Sequence, residues 1–158
     1  LAARLFGYEH DDTEVYAHDL GMAFQLTNII RDVREDADRG RIYLPQDLLD
    51  KHSVSESELT QDTISKGLRS VLLELATRAE NYYESALQSL AEDDRWNQRS
   101  GLIMSAIYHA LLTRIRDNDF DVMQGRASIP KLSKLWIAWK TARRENRRHR
   151  QYLKQHAA

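Results

Sequence analysis

Between Ile64 and Leu90, apolar side chains recur at steps of three and four: Ile64, Leu68, Val71, Leu72, Leu75, Ala79, Tyr82, Tyr83, Ala86 and Leu90. At about 100° of rotation per residue such a series collects on one side of an α-helix. No proline interrupts the run. A helix this long with a single buried stripe needs partners of similar length, so the rest of the chain must supply long helices too. It does. Leu102, Ile103, Ala106, Ile107, Leu111 and Ile115 repeat the pattern over residues 96–118.

The spacing predicts further helices over residues 12–35, with Asp12 or Thr13 as cap, and over 132–155. A polar bend around Gly40 leads to Pro45, which suits the first turn of a short helix over 46–50. Ser55 followed by Glu58 has capping-box spacing and opens another short piece. The long helix is expected over 62–91, and 117–130 reads as a loop. The 6 Gly and 2 Pro of the 158 residues are too few for many short strands. With 42% hydrophobic and 30% charged residues the composition is that of a globular domain. The expected class is all-α, one domain built as a bundle of long helices. There is no cysteine, which excludes disulfides, zinc-thiolate sites and a cysteine nucleophile. No apolar run approaches the roughly 18 residues of a spanning helix. The chain opens on Leu1 rather than Met, and we expect a fragment of a longer chain.

A formal net charge of -1 conceals an asymmetry. From Lys131 onward nine Lys or Arg face one acid, Glu145, so the body is as acidic as its tail is basic. Leu135, Trp136, Ile137 and Trp139 precede Arg143, Arg144, Arg147, Arg148, Arg150 and Lys154. Indoles followed by cations suit an interfacial helix at an anionic membrane. The plainer expectation, slightly favoured, is a helix that packs its tryptophans on the body and leaves its arginines in water. A non-catalytic binding module using this helix on anionic lipid or nucleic acid is the alternative for the whole chain.

The richest stretch is QLTNIIRDVREDADRGRIYLP, residues 25–45. Asn28, Asp32 and Asp36 follow a strict four-residue step, and Gln25 falls on the same arc. Met22, Leu26, Ile29 and Val33 occupy the neighbouring arc. Two carboxylates one turn apart repel unless something binds between them. Hard divalent cations take such oxygens, and magnesium in particular is held by one or two carboxylates plus substrate phosphates. Arg31 and Arg41 flank the acids as clamps for phosphate oxygens. Oxygen ligands, arginines and an apolar wall describe a site for an apolar diphosphate. The bland reading is a solvated face with intrahelical ion pairs, such as Arg31 with Glu35. A calcium loop from Asp36, Asp38 and Gly40 fails because Arg41 stands where the turn glycine is required.

The segment LGMAFQLTNIIRDVREDADRGRIYLP resembles the second aspartate-rich motif of the squalene and phytoene synthases, head-to-head prenyltransferases of the all-α isoprenoid synthase fold. LAARLFGY upstream resembles the family too, and DNDFDVMQGRASIPKLSKLWIAW does so more loosely. Among its members the hopanoid-pathway enzymes are nearest in flavour; the carotenoid enzymes are the other branch. The resemblance implies that Asn28, Asp32 and Asp36 bind Mg²⁺, with Mn²⁺ as a substitute, and that Asp32, Asp36 and Tyr43 serve catalysis. It places Gln25, Arg31 and Arg41 at the substrate, while Phe24 and Met22 are candidates for touching its chain. Implied chemistry is loss of diphosphate from one allylic chain and attack by the double bond of a second. A cyclopropyl diphosphate forms first, then rearranges; NADPH is needed only if the product is squalene. The family's first aspartate-rich motif has no counterpart here. We therefore expect the C-terminal half of a synthase, inactive alone, or a subunit beside a partner bearing the first motif. The expected location is cytoplasmic, with peripheral contact to the inner face of the membrane, and no nucleic acid is expected as partner.

Overall fold

The computed structural model describes residues 12–156; LAARLFGY and Asp11 lie outside the described residues. Among these the chain forms helices α1 (Asp12–Asp38), α2 (Gln46–Lys51), a 3₁₀ turn (Glu56–Thr60), α3 (Lys66–Ser89), α4 (Glu92–Arg95), α5 (Arg99–Asp117) and α6 (Lys131–Gln155), with no strand. The all-α expectation holds.

The broadest packing is between α1 and α3. Along α1 the core face is Tyr16, Leu20, Ala23, Thr27 and Ile30, all buried. It meets Leu68, Val71, Leu72, Leu75, Ala79, Tyr83 and Ala86 of α3, the stripe read from the sequence. Ala23, Ala76 and Ala79 are fully buried, and such small side chains let two helix backbones approach closely. Helix α5 closes the third side through Leu102, Leu112 and Ile115, and α6 packs chiefly on α5. Each fully buried leucine contributes roughly 1.5–3 kcal/mol of apolar burial.

Element ends differ from expectation in instructive ways. Helix α1 runs through Asp36 to Asp38, and the Asp36 carbonyl accepts from the N–H groups of Arg39 (3.0 Å) and Arg41 (2.9 Å). Gly40 takes φ +68° there, the left-handed turn that ends a helix without steric cost. Thr13 is no cap: it is buried within α1 and its Oγ1 donates to Asp94 at 2.6 Å. Helix α3 starts later than expected because Ser65 caps it, accepting from the Leu68 N–H at 3.1 Å. Glu58 does accept from the Ser55 N–H, at 2.9 Å, as the capping box requires. Phe120, Val122, Met123 and Ile129 are buried, so the α5–α6 loop is pinned to the core.

Gly67, in the first turn of α3, is a point of close approach. A Cβ there would lie 2.7 Å from the His52 carbonyl oxygen and 2.9 Å from Val54 Cγ2. Alanine has the better helix propensity, by about 1 kcal/mol at most, but overpacking against a backbone atom costs about 1–3 kcal/mol. The clash wins. Gly67→Ala is expected to lower the thermal midpoint, and an unchanged or higher midpoint would show that α2 and its following turn can shift.

Candidate functional site

Helical geometry puts Asn28, Asp32 and Asp36 in one row along α1. The stripe beside them is not the helix's main core face. Met22, Leu26 and Ile29 are half-buried, whereas the fully packed side lies further round. An apolar strip therefore stays partly uncovered next to the row of oxygens. Phe24 adds an aromatic floor, with its ring 4.6 Å from Tyr108 of α5 and 6.2 Å from Tyr83 of α3. Thr27 Oγ1 donates to the Ala23 carbonyl at 2.7 Å, so its single proton is used and Tyr83 Oη donates to it at 3.1 Å. Burial pushes the Tyr83 hydroxyl up to about 12, against which its bond to Thr27 weighs little, so it stays protonated.

Asp32 is the most heavily engaged acid. Arg31 grips it through Nε at 2.7 Å and Nη2 at 2.5 Å. Arg126, from the α5–α6 loop, grips the same oxygens through Nε at 2.8 Å and Nη2 at 3.3 Å. Burial alone would raise the Asp32 carboxyl; the hydrogen bonds and charges of Arg31 and Arg126 outweigh it and hold the group below the usual carboxylate range. Arg31 is itself raised, first by its hydrogen bond to Asp32. Arg126 also lies 3.7 Å from Glu35. The Arg31 to Glu35 pair expected from spacing does not form, because Arg31 turns to Asp32 and Glu35 takes Arg39 at 2.7 Å.

Two guanidinium groups share the one Asp32 carboxylate, while Arg34 pairs with Asp38 and Asp62. Between the α5–α6 loop and α1 lies a groove of about 710 Å³, lined by Arg31, Arg34 and Arg126 together with Glu35, Asp38 and Asp62, so its cations and acids balance. Asp36 sits a turn further on, bordering a small recess with Arg41, Ile42 and Tyr43. Tyr43 is 54% exposed. Gln25 and Arg41 are exposed as well. The structure thus brings Asn28, Asp32, Arg31 and Phe24 to one place, with Asp36, Arg41 and Tyr43 at its end and Gln25 on the open side.

Among the described residues no three His, Cys, Asp or Glu side chains converge as a metal-binding group. The donor set in question, though, includes an amide. Asn28 Oδ1 is buried and finds no hydrogen-bond partner among the described residues. An orphaned carbonyl oxygen one turn from a carboxylate is a donor awaiting a cation, and amide plus carboxylate oxygens are what magnesium accepts. The residues fit the group.

Spacing along the sequence missed Arg126, which is 94 residues from Asp32. It missed Tyr108 too, which reads as one more apolar position of α5. The loose resemblance over DNDFDVMQGRASIPKLSKLWIAW was the one signal that this loop belongs to the site.

The fold and this row define an all-helical protein with an arginine-gripped carboxylate beside a half-open apolar strip. The squalene/phytoene synthase family profile matches residues 1–133, and the chain belongs to that family. It is 41% identical to 15-cis-phytoene synthase of Synechococcus elongatus over 119 residues, 73% of this chain and 38% of that protein. It is 32% identical to presqualene diphosphate synthase of Sinorhizobium fredii over 142 residues, 90% of this chain and 51% of that protein. A crystal structure of a dehydrosqualene synthase in complex with ligand matches with a TM-score of 0.66 and 29% identity, covering 89% of this chain and 47% of that one. The fold is that of the all-α isoprenoid synthases. The chain spans about two-fifths to one-half of the length of these proteins.

Proposed function

We propose that this chain carries half of the active site for head-to-head condensation of two prenyl diphosphates. The product is presqualene diphosphate or squalene, or phytoene; NADPH enters only for squalene. The observation that carries the reading is the buried Asn28 Oδ1, without a hydrogen-bond partner among the described residues, in one row with Asp32 and its two guanidinium groups. Asn28, Asp32 and Asp36 would hold Mg²⁺, or Mn²⁺ in its place. When bound, the metal supplies positive charge that stabilises a departing diphosphate. Arg31, Arg126 and Arg41 provide further cationic hydrogen-bond donors for diphosphate oxygens. Met22, Leu26, Ile29 and Phe24 offer the partly uncovered apolar wall that keeps water from a carbocation. Gln25 and Tyr43 stand at the edges, where they contact the substrate.

The two carboxylates and one amide form a single row. One row neutralises only part of a diphosphate's charge, so the chain by itself is expected to bind without condensing. Calorimetric titration of the 158-residue chain with farnesyl or geranylgeranyl diphosphate tests this, with and without Mg²⁺. Binding that requires the metal, with no turnover, is the expected result. Absence of metal-dependent binding would remove the site assignment; condensation at the rate of a complete synthase would overturn the half-site reading.

A further inference from the structure

The carboxylate of Asp32 is saturated. Such a group offers about four lone-pair sites, and four N–H groups point at its two oxygens. Two come from Arg31, at 2.7 and 2.5 Å, and two from Arg126, at 2.8 and 3.3 Å. A cation that takes Asp32 as a ligand needs one of those sites, so one guanidinium has to withdraw. The two arginines differ in what holds them. Arg31 stands on α1 beside Asp32 itself, and its side chain is only 14% exposed. Arg126 reaches in from the α5–α6 loop and is 56% exposed. Around it Gln124, Gly125 and Ser128 are exposed as well, whereas Met123 and Ile129 on either side are buried. The loop is therefore anchored at two points with an unpacked tip between them. A Cβ at Gly125 would meet nothing within 4 Å, so packing does not fix the tip. Among the described residues no backbone hydrogen bond outside the helices involves residues 124–128. Glu35, 3.7 Å from Arg126, is a second anion within its reach.

We infer that Arg126 is a latch on Asp32: it fills the cation's place on that carboxylate and lets go when a divalent cation and a diphosphate arrive together. This latch rests on the metal row proposed above and adds how that row is kept closed. Metal alone must displace a guanidinium and leave it without its partner. Metal that carries a diphosphate brings phosphate oxygens, with which a guanidinium forms paired hydrogen bonds. Arg126 then exchanges one anion for another. It thus opposes the bare cation and favours the complex, a coupling that holds off free metal and opens the row to metal-bound substrate.

Arg126→Gln separates this role from two simpler ones. Mn²⁺ alone, with the free ion followed by electron paramagnetic resonance, should bind the variant about five-fold more tightly than the unmodified chain, the scale of a partly exposed ion pair. Magnesium pyrophosphate, titrated by calorimetry, should bind it about ten-fold more weakly. A residue that only contacts diphosphate would change the second affinity and not the first. One that only holds the loop in place would weaken both. In the unmodified chain, Mn²⁺ should also speed trypsin cleavage after Arg126, since a guanidinium tied to Asp32 is withheld from the acidic pocket of the protease. Circular dichroism checks that the variant stays folded. Equal or weaker Mn²⁺ affinity in the folded variant would overturn the latch and leave the metal row standing, as would cleavage after Arg126 that Mn²⁺ does not change. No Mn²⁺ binding by either chain would overturn the row itself, and the latch with it.

Discussion

Asn28→Leu is expected to leave the protein as stable as before, or more stable by about 1 kcal/mol, while weakening Mg²⁺-dependent diphosphate binding about 10- to 100-fold. The two halves of this result have separate causes. A buried amide oxygen without a partner costs roughly 1–3 kcal/mol in lost hydration, and Asn28 Oδ1 is such an atom among the described residues. Leucine has nearly the same reach, no polar atom and a better helix propensity. Replacing the amide therefore relieves a penalty the fold now carries. The same atom is one of three oxygen donors in the row, and perturbing even the partners that support a metal ligand costs 10- to 100-fold in affinity. A residue kept for packing would lose stability and binding together. Thermal melts and calorimetric titration of the same preparation separate the cases. Undiminished metal-dependent affinity in the variant would remove Asn28 from the site, whatever happened to the melting temperature.

That prediction could be half-written from the sequence, and the half that could not is informative. The four-residue step of Asn28, Asp32 and Asp36 is a local property of one helix, so periodicity was enough to place them on one side. The long stripe from Leu68 to Ala86 was legible for the same reason, and it does form the α1–α3 interface. Which arc of α1 is fully packed was not legible. Met22, Leu26 and Ile29 look more apolar than Ala23 and Thr27, yet the smaller residues face α3 because close helix contact there requires small side chains. Arg126 was out of reach because its partner is 94 residues away. The packing of α6 was not legible either. Its one acid is its structural anchor, and its tryptophans, which a helix packed on the body would bury, stay outside.

The anchor sets the second large effect. Glu145→Gln is expected to cost about 3–5 kcal/mol of unfolding free energy at neutral pH, a large part of the roughly 5–15 kcal/mol that holds a domain together. The Glu145 side chain is 2% exposed and that of Arg95 11%. The carboxylate accepts from Arg95 Nε at 2.7 Å and Nη2 at 3.3 Å, and from Arg144 Nε at 3.0 Å. Glutamine removes the charge and turns an amide N–H₂ toward guanidinium groups that have only donors to offer. Arg95 is then a buried cation without its counter-charge. The nearby Arg148–Glu92 pair, 2.5 Å between Nη2 and Oε2, is half-exposed, and such a pair contributes at most about 1 kcal/mol. It cannot hold α6 in place alone. Acid should reproduce the lesion in the unmodified protein. Burial would raise the Glu145 carboxyl, but Arg95 and then Arg144 outweigh it and keep the group below its ordinary range. A depressed folded value gives stabilisation that is complete above the unfolded glutamate range near about 4.3 and is lost as pH falls through the folded value. Urea unfolding at neutral pH should therefore show a large gap between the two proteins, and the gap should close in acid below that range. A gap that is absent at neutral pH, or that persists unchanged in acid, would mean that Glu145 is not what fastens α6 to the body.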